Sequence, residues 1–240
     1  MDTESILKIV LIIQFAIFSI IRIEYHRLAR RAGVKTLTEE EKWHSLFLNL
    51  FIGYEIITFF LYLFYPELLS WAMILIPVWL RLIGASLGVM SLLLFVWVHR
   101  SLGRNFSAKL RIKEQQSLVM YGPYQWIRHP MYTAFYLLNL AAFLLTSNWF
   151  IGVTWLTGLT MVISLRVKRE ESMMADRFGD AYRQYMRRTG RFVPAIRANK
   201  TPAGMANNPH SYRVKNTHLR TKLGLVLRKW AIIEQRWPLR

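Results

Sequence analysis

The chain has 240 residues, 53% of them hydrophobic, with a mean hydropathy of +0.21 and 32 Lys and Arg against 14 Asp and Glu, a net charge of +18. A soluble domain with so much apolar surface does not ordinarily carry that imbalance, whereas apolar spans joined by basic cytoplasmic segments give both features together. The charges lie between apolar blocks rather than in one basic domain, which argues against nucleic acid as a partner, and the absence of cysteine excludes disulfides, thiol nucleophiles and Cys-based metal sites.

A helix needs about 20 apolar residues to cross a bilayer. Five segments approach this, so the expected fold is all-α and integral to the membrane, with five transmembrane helices. The first, Ile6 to Ile23, carries Lys8 and Arg22 near its ends, where long side chains reach the interface. Its acidic start, with Asp2 and Glu4 and no small-residue cleavage site, reads as an anchor rather than a signal peptide. The second, Ser45 to Tyr65, contains Glu55, which needs an inward-facing partner. The third runs from Ala72 to Val98, with Pro77 close to its start and Arg81 in its outer half. The fourth and fifth, Met131 to Thr146 and Trp149 to Leu165, are short, and only Ser147 and Asn148 separate them. Two residues permit only a tight antiparallel hairpin, whose length suits a locally thinned bilayer.

The loops orient these spans. Pro66-Glu67 and Ser147-Asn148 carry no Lys or Arg, whereas 24–44 holds Arg27, Arg30, Arg31, Lys35 and Lys42, and 99–129 is similarly basic. Basic loops stay in the cytoplasm, so the N-terminus is expected outside and the C-terminus inside. After Pro194 the character changes. Residues 195–240 hold ten Lys and Arg and one Glu, half of the net charge, and are expected to form a tail separate from the membrane domain at 1–194. Thr201 to His210 reads as a linker. Leu219, Leu223, Val226, Trp230, Ile233 and Trp237 then recur at helical spacing beside Lys222, Arg228 and Lys229, the pattern of a basic amphipathic helix on an anionic leaflet, or else of a partly disordered tail.

Polar chemistry concentrates in two cytoplasmic stretches, 118–132 and 166–185, which the hairpin must bring to one membrane face. Each residue also has an ordinary structural role available. Pro130 suits the first position of a helix, with His129 beside its cap and Arg128 as a snorkelling anchor. Arg166 and Glu170, four apart on one helical face, suit an ion pair worth roughly 0.2–0.5 kcal/mol. Alternatively, Arg166 holds an anionic acceptor and Glu170 meets the hydroxyls or amino group of a cofactor. Phe178-Gly179 marks a helix end, and Tyr182 and Tyr185 suit an interfacial aromatic belt.

Taken together these residues resemble the isoprenylcysteine carboxyl methyltransferase family and its phospholipid methyltransferase relatives. The resemblance runs from about Leu102 to Pro194. It rests on Leu102-Gly103-Arg104-Asn105-Phe106-Ser107, on Leu118-Val119 leading through Gly122 and Tyr124 to Arg128-His129-Pro130-Met131-Tyr132, and on Glu170-Glu171, Phe178-Gly179-Asp180, Tyr182, Tyr185 and Thr189-Gly190-Arg191-Phe192-Val193-Pro194. It implies a membrane-embedded methyltransferase that binds S-adenosyl-L-methionine in a cytoplasmic pocket around the last helical hairpin. Position by position, it implies Gln116, Ser117, Leu118, Val119, Tyr124, His129, Pro130, Met131, Tyr132 and Glu170 as cofactor residues and Arg166 at the acceptor. Relatives often have His where this chain has Gln116. The implied acceptor is hydrophobic and enters from the bilayer: a prenylated cysteine, a lipid, or a small hydrophobic molecule. No metal is implied.

Two other classes compete. A membrane sterol or enone reductase using a nicotinamide cofactor has a similar Arg-His motif and Gly…Tyr segment, but the Thr-Gly-Arg-Phe-Val-Pro ending and the short layout favour the methyltransferase. A non-enzymatic scaffold or transporter subunit leaves the polar cluster unexplained and has no internal repeat behind it.

Overall fold

Residues 2–31, 39–102 and 117–195 are described by the computed structural model, which is entirely helical apart from its connections. Helix α1 (Thr3–Arg31) starts where the Asp2 carboxylate accepts the Ser5 N–H at 3.0 Å, an N-cap bond. Helix α2 (Glu39–Phe64) ends just before Pro66, and a 3-10 segment, Pro66–Ala72, follows it. Helix α3 therefore spans Val78–Leu102 rather than starting at Ala72. Pro77 has no N–H to continue a helix from behind and keeps the residue before it extended, while its carbonyl accepts the Leu80 N–H at 3.0 Å.

Helix α4 (Pro130–Thr146) opens with Pro130 in the position where a missing N–H costs nothing. Its 17 residues rise about 25 Å, shorter than the other apolar helices. Ser147 reverses the chain in the left-handed conformation, φ 49°, and Asn148 caps α5 by accepting the Ile151 N–H at 3.0 Å. The Asn148 amide also donates to the Leu69 carbonyl at 2.9 Å, tying the hairpin to the 3-10 segment. Helix α5 (Trp149–Phe178) does not stop near Leu165, as apolarity alone suggests. It continues for 30 residues, because the charged run after Leu165 keeps helical spacing and meets no breaker before Gly179, where φ is +55°. Helix α6 (Asp180–Arg188) turns away from that glycine.

Four helices are long and apolar enough to cross a membrane, and α4 is a shorter apolar companion. Helix α3 packs most extensively on α4. A side chain at Gly84 would put its Cβ 2.7 Å from that of Leu144, so this close approach needs glycine. One apolar core joins Leu7 and Leu11 of α1, Tyr62 of α2 and Leu145, Ile151 and Trp155 of the hairpin; a second joins Phe18, Phe95, Ala134 and Leu138. Polar pins cross between helices: Trp155 Nε1 donates to Thr58 at 2.8 Å, Tyr54 to Thr154 at 2.7 Å and Gln14 to the Ala85 carbonyl at 2.8 Å. Large residues such as Ile57, Phe64, Leu93 and Met161 point outward, as a lipid-facing surface requires.

The starts of α1, α3 and α5 and the ends of α2 and α4 gather at one end. There, Arg81 of α3 binds Glu4 of α1 through both guanidinium amines and donates to the Leu145 carbonyl at 2.8 Å. Successive helices thus reverse direction, and the polar stretches are left at the opposite end.

Candidate active site

The connection that enters the site, Ser117 to His129, is shaped by its own sequence. Gly122 takes φ +63°, and an added Cβ would lie 2.3 Å from the Ser101 hydroxyl, so the turn is pressed against the end of α3. A single 3-10 turn, Gly122–Gln125, follows, and Trp126 stacks edge-on against Trp97. The far wall comes from α6. Tyr182 and Tyr185 are buried with Phe178 and Leu118 rather than lying in an interfacial belt, and the Tyr185 hydroxyl donates to the Tyr124 carbonyl at 2.7 Å. Burial pushes the phenols of Tyr124, Tyr182 and Tyr185 above their ordinary range. Nearby charge and phenols add to it: Tyr185 and Glu170 act on Tyr124, and Glu171 on Tyr182. All three therefore stay neutral hydrogen-bond donors.

After α6 the chain returns to the start of α4. The Arg128 N–H donates to the Gly190 carbonyl at 2.8 Å, the His129 N–H to that of Arg191 at 3.0 Å, and the Gly190 N–H to that of Trp126 at 3.1 Å. The Thr133 hydroxyl donates to the Phe192 carbonyl at 2.7 Å, and the Phe192 ring packs beside His129 and Tyr136. Residues 189–192 thereby form a strap across the α4 N-terminus.

At the centre the two carboxylates of α5 have separate partners. Glu170 accepts the Tyr132 hydroxyl at 2.7 Å, faces Arg166 Nη2 at 3.6 Å and lies 3.6 Å from His129 Nδ1. Glu171 accepts Arg128 Nε at 3.1 Å, His129 Nε2 at 3.3 Å and Arg191 through Nε at 3.2 Å and Nη2 at 2.6 Å. Arg128 also donates to the Met186 carbonyl at 2.9 Å and to that of Thr189, so it is an interior tie rather than a snorkelling anchor. The Arg166 side chain is 15% exposed, and its Nε is buried without a hydrogen-bond partner among the described residues.

The two stretches singled out in the sequence do meet. His129, Tyr132, Arg166 and Glu170 form one contact group, and Tyr124 lies close enough to feel the Glu170 charge. Leu118 and Val119 are buried, whereas Ser117 is exposed. Pro130 is buried at the helix start. The Met131 side chain is not brought to this group; it packs against the Phe18 and Phe95 cluster. Gln116 lies outside the described residues, as do 103–107 of the first motif and the tail after Ala195.

Residues 82–176 match the family model described as the isoprenylcysteine carboxyl methyltransferase family. Among similar proteins, a protein-S-isoprenylcysteine O-methyltransferase of Schizosaccharomyces pombe is 30% identical over 96 residues, 39% of this chain and 41% of the relative. One of Tribolium castaneum is 26% identical over 124 residues, 51% of this chain and 44% of the relative. The chain thus spans less than half the length of these two curated relatives in the matched region. A solved structure described as the eukaryotic intramembrane Ras methyltransferase of this name aligns at 22% identity with a TM-score of 0.46, covering 69% of this chain and 56% of its own.

The segment shared with the isoprenylcysteine methyltransferase family contains His129, Tyr132, Arg166, Glu170 and Glu171, but the match stops before α6 and the strap. Glu171 and Arg191 stand in the sequence motifs without an assigned role. A signal was available: Glu171 is an acidic residue in a strongly basic stretch, and Arg191 stands in a short closing motif that no apolar pattern explains.

Proposed function

We propose that this chain is a membrane-embedded S-adenosylmethionine-dependent carboxyl O-methyltransferase that acts on a prenylated cysteine or a comparably oily acid. Its five helices span the bilayer, and the site faces the cytoplasm. The observation that carries the reading is the convergence of Tyr132, Arg166, Glu170 and His129 at one end of a bundle of apolar helices. The described basic residues Arg27, Arg100 and Lys168 fall at the same end, which supports the cytoplasmic orientation.

The donor set suits the cofactor. Glu170 offers an acceptor-only carboxylate for ribose hydroxyls or an amino group, Tyr124 and Trp126 offer aromatic faces for a sulfonium, and the neutral phenols add no competing negative charge. When bound, S-adenosylmethionine supplies a methyl group already activated by its sulfonium. Arg166, with a buried Nε to spare, would grip the acceptor carboxylate as a planar fork. A carboxylate oxygen is nucleophilic without losing a proton, so no side chain need act as a base. The remaining work is alignment and exclusion of water, for which the aromatic walls and the strap are suited, while the oily part of the acceptor stays in lipid.

The deciding experiment supplies methyl-labelled S-adenosylmethionine to membranes with and without the protein, followed by mass spectrometry of products. A base-labile methyl ester on a lipid-like acid is expected. Binding of a nicotinamide cofactor with no uptake of S-adenosylmethionine would overturn the reading in favour of a reductase.

A further inference from the structure

We propose that Glu171 is the positioning residue of this site, fixing the His129 ring against Glu170 by gathering Arg128, His129 and Arg191 on one buried carboxylate. The proposal deepens the methyltransferase reading and rests on it. A carboxylate offers about four lone-pair directions. Here four N–H groups converge on it: Arg128 Nε, His129 Nε2 and Arg191 Nε share Oε1, and Arg191 Nη2 takes Oε2. The Glu171 side chain is 11% exposed, so water supplies little of that balance.

The arrangement matters because His129 stands between two carboxylates. Its Nε2 faces Glu171 at 3.3 Å, and its Nδ1 faces Glu170 at 3.6 Å. Glu171 accepts hydrogen bonds and donates none, so it requires Nε2 to carry hydrogen and sets the orientation of the ring. Glu170 is left with Tyr132 and Arg166 as its remaining partners. Arg191 gives Glu171 a second effect, because its backbone carbonyl already receives the His129 N–H. One carboxylate therefore holds the ring, the arginine before it and the strap behind it. Neither arginine does this alone: Arg191 is half exposed, and Arg128 is anchored independently on Met186 and Thr189.

Glu171→Gln tests the idea on the full chain in detergent. The amide keeps the shape but offers fewer acceptor directions and turns two donors toward cations. Affinity for S-adenosylmethionine is expected to fall about tenfold, the loss of one charge-assisted interaction, and the nitrogen-15 Nε2–H signal of His129 is expected to shift as its carboxylate partner is lost. Glu171→Asp, which keeps the charge, should recover part of both. Should Glu171→Gln fail to fold, Arg191→Gln, which removes two donors from a half-exposed side chain, carries the same readouts with smaller changes. Wild-type affinity together with an unchanged His129 signal in a folded Glu171→Gln protein would overturn the proposal. The histidine signal decides the positioning role even if the wild type takes up no S-adenosylmethionine, an outcome that would instead sink the functional reading.

Discussion

Adjacent residues on a helix point about 100° apart, and this separates the work of the two glutamates. Glu170 turns toward Tyr132 and Arg166, and Glu171 toward Arg128 and Arg191. If Arg166 serves the acceptor, Arg166→Ala should lose turnover while keeping affinity for S-adenosylmethionine. Glu170→Ala should weaken the cofactor by about 1.5–3 kcal/mol, one hydrogen bond to a charged group. Calorimetry on each variant separates the two effects. A purely structural ion pair predicts something else: both variants nearly intact, and the double variant no worse than either single one.

The elements that frame the site are held by a few polar or strained positions rather than by bulk. Asn148 both caps α5 and ties the hairpin to Leu69, and it is completely buried. Asn148→Ala should cost about 0.5–2 kcal/mol for the cap alone, read as a lower melting temperature in detergent. Gly122→Ala meets φ +63° and the Ser101 hydroxyl together. It should displace the turn and weaken cofactor binding while leaving the helical circular dichroism unchanged. The α6 wall makes a further prediction, from phenols raised by burial. A raised phenol keeps its proton in the folded protein after the unfolded chain has lost it. Stability is therefore full below the ordinary tyrosine value, about 10, and falls as pH rises beyond it. Phenolate absorbance should consequently appear late and together with unfolding of the α6 wall; early titration of Tyr182 and Tyr185 would show that the wall is open.

For the molecule as a whole, the alternation of helix direction and the charge of the loops point the same way. Reporter fusions at Pro66, Gln115 and Lys200 should report outside, inside and inside; a cytoplasmic signal at Pro66 would overturn the orientation. The Arg81–Glu4 pair stands at the end of the bundle away from the candidate site, where α1, α3 and α4 meet. Arg81→Ala should lower thermal stability with little change in cofactor affinity, because the site lies at the other end of the bundle. Removing residues after Lys200 should leave activity in place, since the strap already closes at Phe192.

Local signals made much of this legible in the sequence. Length and apolarity marked the helices, Pro130 and Gly179 marked helix boundaries, and the two-residue link at Ser147-Asn148 demanded a hairpin, because each depends only on neighbouring residues. Apolarity marked only the lipid-spanning part of α5, since a helix leaving lipid keeps its hydrogen bonds while its side chains turn polar; the Arg166–Glu170 spacing and Gly179 marked the rest. The start of α3 depended on Pro77 stopping the helix at a point that hydropathy does not mark. Partner choice was beyond any local signal. Glu4 meets Arg81, and Glu171 meets Arg128 and Arg191, only because distant segments return to the same place. Motif spacing brought Arg166 and Glu170 onto one face, but which carboxylate gathers both arginines with the histidine Nε2 and which keeps Tyr132 and Arg166 was decided by the strap folding back over α4.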